Sequence, residues 1–304
     1  MPHSMRNIVK AGKESTRGTA VATALTMPFM GEGLRPSFQR HLAKIRSSST
    51  FPYVTAHVPL GINHALRFTP EVNVETVRDI FEMAFVRDAT TKLLTSVTIE
   101  ESGVGIDPMK YAGCVCSSLE YAFSRSANPD VSAVLAATME FAAMSGVTVS
   151  APTAGTQGAG GHFQMAKSTF EINSVSALEV LSFRGQRTNA LAIGPHDADG
   201  NITYIDDGEV DDSFELVARF AAAAWRTLVK NATEHDSQFI LATGTANETV
   251  TLDIGAGQLE SHELGEDGGI VTERISSVAA HTGSVAPVVV TFGSSIGAGA
   301  LDID

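Results

Sequence analysis

The residues with the clearest chemical potential lie in HDADGNITYIDDGE, from His196 to Glu209. Asp197, Asp199 and Asn201 have the first three oxygen-ligand spacings of a calcium loop. An EF-hand then needs glycine at the sixth position, and here Gly200 stands at the fourth. Asp-Gly between NALAIG and NITYI is also a hairpin signal, and the stretch reads as a hairpin rather than a metal site. Cys114 and Cys116, the only cysteines, sit in YAGCVCSS, a spacing that puts both thiols on one face of a strand. Two thiols make neither a structural zinc site nor a disulfide framework, so they read as small buried residues.

The remaining motifs are negative. GTQGAGG and GSSIGAG are glycine-rich, but neither fits GxxxxGK[ST] nor opens a helix after a strand. They read as a flexible loop and a C-terminal tail. There is no HExxH and no Cys–His zinc spacing. The nine histidines are scattered, and His262 in SHELGED and His281 in AAHTG read as surface positions. Nothing here supports catalysis, a cofactor or a metal.

Charge narrows the partners. Lys and Arg number 21 against 34 Asp and Glu, a net charge of −13. Tight phosphate binding needs clustered cations, so this balance argues against it, but not against DNA passing an acidic wall. The densest acidic run is IDDGEVDDSFE. Asp206, Asp207 and Glu209 are free to face solvent, while Asp212 and Glu215 have the spacing of a helix capping box. The N-terminus has no apolar core of a secretory signal, and no run approaches the roughly 18 apolar residues of a membrane helix. The expectation is a soluble protein, intracellular when made.

The elements that must position these residues are mostly short strands. Segments such as TSVTIEE, SAVLAATMEF, QFILATG and ETVTLDIG alternate with period two and are punctuated by Gly, Asn, Asp and Pro. Two stretches read as helices. In NVETVRDIFEMAFVRD, Val77, Ile80, Phe81, Ala84 and Phe85 share a face, and Asn73 can cap it. In DDSFELVARFAAAAWRTLVKN, Val217, Phe220, Ala221, Ala224, Trp225 and Leu228 do the same. Residues 77–85 and 217–225 superpose in phase, each after a Glu-Val pair and each flanked by strands. Two copies of one unit, joined in the Gly-rich stretch 150–161, explain this; chance likeness of two amphipathic helices also would.

One run remains. KAGKESTRGTAVATALTMPF has no apolar block able to bury itself. It resembles the N-terminal segment of the major tail tube proteins of long-tailed, siphovirus-like bacteriophages, where a Gly-Lys-Glu-x-Thr-x-Gly-Thr-Ala type run precedes the first barrel strands. The strand grammar of most of the chain resembles the same family, as pattern more than identity. The resemblance implies a mainly β fold: an antiparallel sandwich or barrel with a flanking helix. The extra length fits either one tube domain with long insertions or two, with residues 1–150 as a first tube-like domain carrying an N-terminal arm and 151–304 as a second. Ala11–Phe29 is then expected to be buried against a neighbouring subunit. Rings of three chains follow if the repeat is real, and of six if it is not, stacked into a tube. The family implies a tape measure protein and a tail terminator as partners, and genomic DNA passing without specific binding. It also implies an acidic lumen, for which Asp206, Asp207 and Glu209 are the candidates. The expected location is the virion tail, after assembly in the host cytoplasm. A secretion-type tube, a head or head–tail connector subunit, and a hydrolase without a motif are the other readings.

Overall fold

The computed structural model describes residues 8–23, 25–29, 33–46, 54–88, 91–103, 106–123, 133–149, 156–157, 160–220, 224–279, 287–299 and 301. The chain opens with β1 (Ile8–Lys13), β2 (Leu25–Met27) and a long hairpin of β3 (Arg35–Arg46) and β4 (Val54–Phe68). Helix α1 (Val77–Phe85) follows, then β5 (Val97–Gly103), β6 (Ile106–Phe123), β7 (Leu135–Ala143) and β8 (Ser145–Thr148). After the short β9 (Thr156–Gln157) come β10 (Thr169–Ile172), β11 (Val175–Ser176) and a second long hairpin, β12 (Leu178–Ile193) and β13 (Ile205–Arg219). Helix α2 (Ala224–Asn231), β14 (His235–Ala242), β15 (Thr249–Asp267), β16 (Ile270–Ala279) and β17 (Val289–Phe292) complete it. The fold is mainly β and antiparallel, as a tail-tube sandwich should be; among the described residues only β2–β9 is parallel.

The strand pairings are duplicated. In the first half β1 pairs with β2 and β5, β5 with β6, β6 with β7 and β8, β7 with β4, and β4 with β3. In the second half β10 pairs with β11 and β14, β14 with β15, β15 with β16 and β17, β16 with β13, and β13 with β12. Each helix falls at the same place in its series, and each contacts the equivalent long strand, α1 on β6 and α2 on β15. Those two strands change partners midway. β6 pairs with β5 up to Cys114 and with β7 beyond it; β15 pairs with β14 up to Gly257 and with β16 beyond it. A bulge marks the change in both, at Cys116/Ser118 and at Leu259/Ser261, where a bulge bends a strand from one layer to the next.

The halves share one core. Phe81 of α1 packs on Tyr121 of β6, ring centroids 5.1 Å apart, and Tyr121 on Phe183 of β12. Phe183 continues to Phe170 and Phe239, at 4.8 and 5.0 Å. Cys114 and Cys116 lie fully in this core, as their spacing predicts, and burial pushes both thiols up, Cys116 to about 12. Helix α1 forms where its periodicity places it. Val77, Ile80, Phe81 and Ala84 are buried, and Asn73 Oδ1 accepts the amides of Glu75 and Thr76 at 3.0 and 3.1 Å.

Three expectations need correction. The first is the N-terminal segment. β1 lies between β2 and β5 of its own chain, with Val9 and Ala11 buried and Leu25 and Met27 beside them. Its small residues are what permit this: a Cβ on Gly12 would collide with the Ala22 carbonyl oxygen. The second is the second helix. Residues 205–219 form a strand, and the described helix runs over Ala224–Asn231. Phe214, Leu216 and Ala218 alternate inward, and β12 and β16 satisfy the backbone on both edges, so sheet pairing overrides a helical phase that Val217 and Phe220 happen to share. Phe220 is 36 % exposed, while Trp225 is buried and its indole N–H donates to Ile172 O at 3.3 Å. Ala221 lies outside the described residues. The third is the C-terminal stretch GSSIGAG. Gly293 N–H donates to Thr249 O, Ile296 and Leu301 are buried, and Leu301 N–H donates to Asp79 Oδ1 at 2.8 Å on α1.

Candidate functional site: open strand edges and an internal joint

The eight strands β3–β4–β7–β6–β12–β13–β16–β15 are paired in that order, so the two halves join where β6 meets β12. The joint is antiparallel and runs from Phe123 opposite Phe183 to Ser118 opposite Thr188. On its core side Leu119, Tyr121, Phe123, Phe183 and Arg187 are buried. Gly185 is required there because the Tyr121 ring occupies the space of a Cβ. On its outer side Arg184 donates to Glu120 Oε2 at 2.9 Å across the two halves.

The series has two open ends. β3 pairs only with β4, and β15 beyond Gly257 pairs only with β16, among the described residues. Both ends show apolar side chains: Phe38 is 53 % and Leu264 54 % exposed. An open edge of unpaired N–H and C=O groups beside exposed apolar residues is a template for another strand.

The other face of this sheet is small and polar along most of β7, but at its end Ala142 and Val115 pack in a second apolar cluster with Leu94, Ile202 and Ile205. Along β7, Ala136, Thr138, Glu140 and Ala142 alternate outward against buried Leu135, Ala137, Met139 and Phe141. Arg and Glu on this face are paired across strands: Arg67 with Glu140 at 3.8 Å, Arg184 with Glu120 at 2.9 Å, and Arg274 with Glu215 at 2.7 Å. The last pair explains why Glu215 does not cap a helix, and it raises the Arg274 pKa through the hydrogen bond to Glu215. Asp212 turns inward instead and meets Arg187 at 3.1 Å, with the Arg187 guanidinium 4.2 Å from the centre of the Phe85 ring. Burial outweighs that attraction and pushes the Asp212 carboxyl up to about 6.

The sequence-predicted acidic residues separate. Asp206 and Glu209 are exposed. The Asp207 side chain is only 1 % exposed; it takes Arg87 at 2.9 Å, Arg17 at 3.7 Å and the Leu94 amide, so its charge faces protein rather than solvent. Arg17 also donates to the carbonyls of Ile205 and Leu94. Nearby, buried Glu14 accepts from Gly18 N, Thr98 Oγ1 and Gly113 N, at 2.9, 2.8 and 2.8 Å. The polar residues of GKESTRG are therefore an intramolecular latch between β5, β6 and β13, a role for which composition and spacing carried no signal. Asp197 likewise serves the backbone: its Oδ1 accepts the amides of Asp199 and Asn201, both at 2.9 Å, inside the β12–β13 hairpin. His262 is not a surface residue; its side chain is 4 % exposed and meets Glu273 at 3.1 Å. His281 lies outside the described residues.

No curated protein sequence matches the chain. A solved structure of the anti-feeding prophage cap, a tube terminating cap, aligns with 48 % of this chain and 95 % of its own, at 10 % identity and a TM-score of 0.31. A likeness at that score carries no argument. The family model described as phage tail tube protein matches residues 6–290, nearly the whole chain. That family is structural rather than enzymatic, its members build the virion tail by self-assembly, and this chain belongs to it.

Proposed function

We propose that three copies of this chain close into a ring of six tube-like units, and that rings stack into the tail tube through which genomic DNA leaves the virion. The observation that carries the reading is the duplicated pairing series with its internal joint. In this reading one chain holds two equivalent units, taken as residues 1–150 and 151–304, supported by the β6–β12 joint between the two pairing series and the equivalent edges open at their ends. An edge-to-edge contact of this head-to-tail kind closes into a ring when its rotation permits. Eight strands from each of three chains make a barrel of 24, about 48 Å between opposite backbones at ordinary strand spacing and tilt.

The face that carries the Arg67–Glu140, Arg184–Glu120 and Arg274–Glu215 pairs lines the lumen in this reading. Asp206 and Glu209 are the lumenal acidic candidates, and Asp207 serves the latch. A tape measure protein inside the tube and a terminator at its end are the partners this reading implies, with assembly in the host cytoplasm. The long-tailed phage type rests on the N-terminal run. Negative-stain microscopy and native mass spectrometry of the purified protein test it. Three-fold rings with six similar lobes and a mass of about 96 kDa, three times 31.9 kDa, are expected. Six-chain rings, or a strict monomer at every concentration, would refute it.

A further inference from the structure

The duplicated pairings carry their registers with them, and the registers specify the contact between copies. The bulges anchor the equivalence. Ser118 opposite Glu140 on β6–β7 corresponds to Ser261 opposite Ser276 on β15–β16. Arg67 opposite Glu140 then corresponds to Glu215 opposite Ser276, and Arg35 opposite Arg67 to Arg184 opposite Glu215. Ser118–Phe123 of β6 is thus matched by Ser261–Glu266 of β15, and Arg184–Thr188 of β12 by Arg35–Gln39 of β3.

We infer that β15 of one copy pairs antiparallel with β3 of the next in the register of the internal joint: Ser261 opposite Gln39, Glu263 opposite Ser37 and Gly265 opposite Arg35. The inference rests on the ring reading above and adds to it the partner strand and its alignment. Burial supports it first. Leu264 and Phe38, both more than half exposed, stand where Tyr121 and Arg187 are 1 % and 4 % exposed in the internal joint. Shape supports it second. Tyr121 demands glycine opposite, at Gly185, whereas the smaller Leu264 leaves room for the Pro36 ring. Pro36 offers no N–H, so this ladder has at most one hydrogen bond fewer than its template, and the proline blunts the edge of an unassembled chain. Charge supports it third. The Arg184–Glu120 ion pair bridges the internal joint diagonally, and the equivalent positions hold Arg35 and Glu263. The sign of each charge is preserved on its own side of the joint.

Two experiments test the register. In the first, the variant Ser261→Cys with Gln39→Cys is assembled and oxidised. Peptide mapping is expected to find residue 39 of one chain linked to residue 261 of another. The variant Ser261→Cys with Ser37→Cys, two residues out of register, is expected to stay unlinked. Cys114 and Cys116 are fully buried and do not compete. In the second, Glu263→Arg and Arg35→Glu are each expected to lower ring yield ~10-fold or more through like charge at the joint. The two together in one chain are expected to restore it. Rings of the unmodified protein in which 39 and 261 fail to link, in which 37 and 261 link instead, or in which the double reversal recovers nothing, overturn the register and leave the ring standing. Absence of rings from the unmodified protein overturns both.

Discussion

Asp207 separates a latch from a lumenal charge most sharply. Replacing it by asparagine keeps the shape and the acceptor for the Leu94 amide but removes the charge facing Arg17 and Arg87. Its side chain is 1 % exposed, and the arginines keep 18 % and 28 % of theirs. Stripping one partner from a fully buried ion pair costs about 3–5 kcal/mol. The arginines recover part of that by hydration, which leaves about 2–4 kcal/mol for Asp207→Asn. Asp206→Asn, one residue away and exposed, should stay within about 0.5 kcal/mol. Urea unfolding of the unassembled chain reads the difference as a lower midpoint at unchanged slope. Equal midpoints for the two variants would refute the latch and return Asp207 to the solvated acidic run.

Other outcomes follow from the same packing. Deleting residues 1–30 should abolish cooperative unfolding, because β1 is paired on both edges within its chain; a folded truncated monomer by circular dichroism would contradict this. Trp225→Ala should cost about 3–5 kcal/mol and Phe220→Asp less than about 1, measured by the same urea titration, whereas a helix over 211–231 with both on its apolar face requires both to be costly. Arg187→Phe with Asp212→His copies the equivalent Phe38–His64 pair and should be milder than either single change, a non-additivity that a double-mutant cycle measures. Between pH ~4 and ~6 the folded chain holds the Asp212 proton more tightly than the unfolded one, so this group makes stability fall as pH rises and adds no slope above; Asp212→Asn should remove that component from the stability–pH profile.

What could be read from the residues depended on how local the cause was. Helix α1 was legible because its cap and apolar face lie within 13 residues, Asn73 to Phe85. The buried cysteines were legible because Cys-x-Cys in a strand has one geometry. β13 was not: its inward Phe214, Leu216 and Ala218 sit in a sequence whose helical phase is equally good, and the decision is made by β12 and β16 flanking it. The latch was hidden for the same reason, since Arg17 and Asp207 are 190 residues apart and meet only after folding. The open edges left the faintest trace. Phe38 and Leu264 look like ordinary strand residues until their equivalents, Arg187 and Tyr121, are seen buried.

The paired charges of the outward face bear on how such a tube handles a polyanion. Exposed ion pairs contribute little to stability, so folding alone does not account for three of them on one face. An unpaired arginine repeated around a ring would hold phosphates by releasing counterions. An unpaired glutamate repeated in the same way would oppose entry of DNA. Partners within 4 Å of each other are far closer than the screening length of about 8 Å at physiological salt, so a phosphate further off sees little net field from the pair. Under the proposed closure this face is the channel wall. Local neutralisation then quiets the paired positions of that wall, and the proposed lumenal Asp206 and Glu209 supply its negative charge.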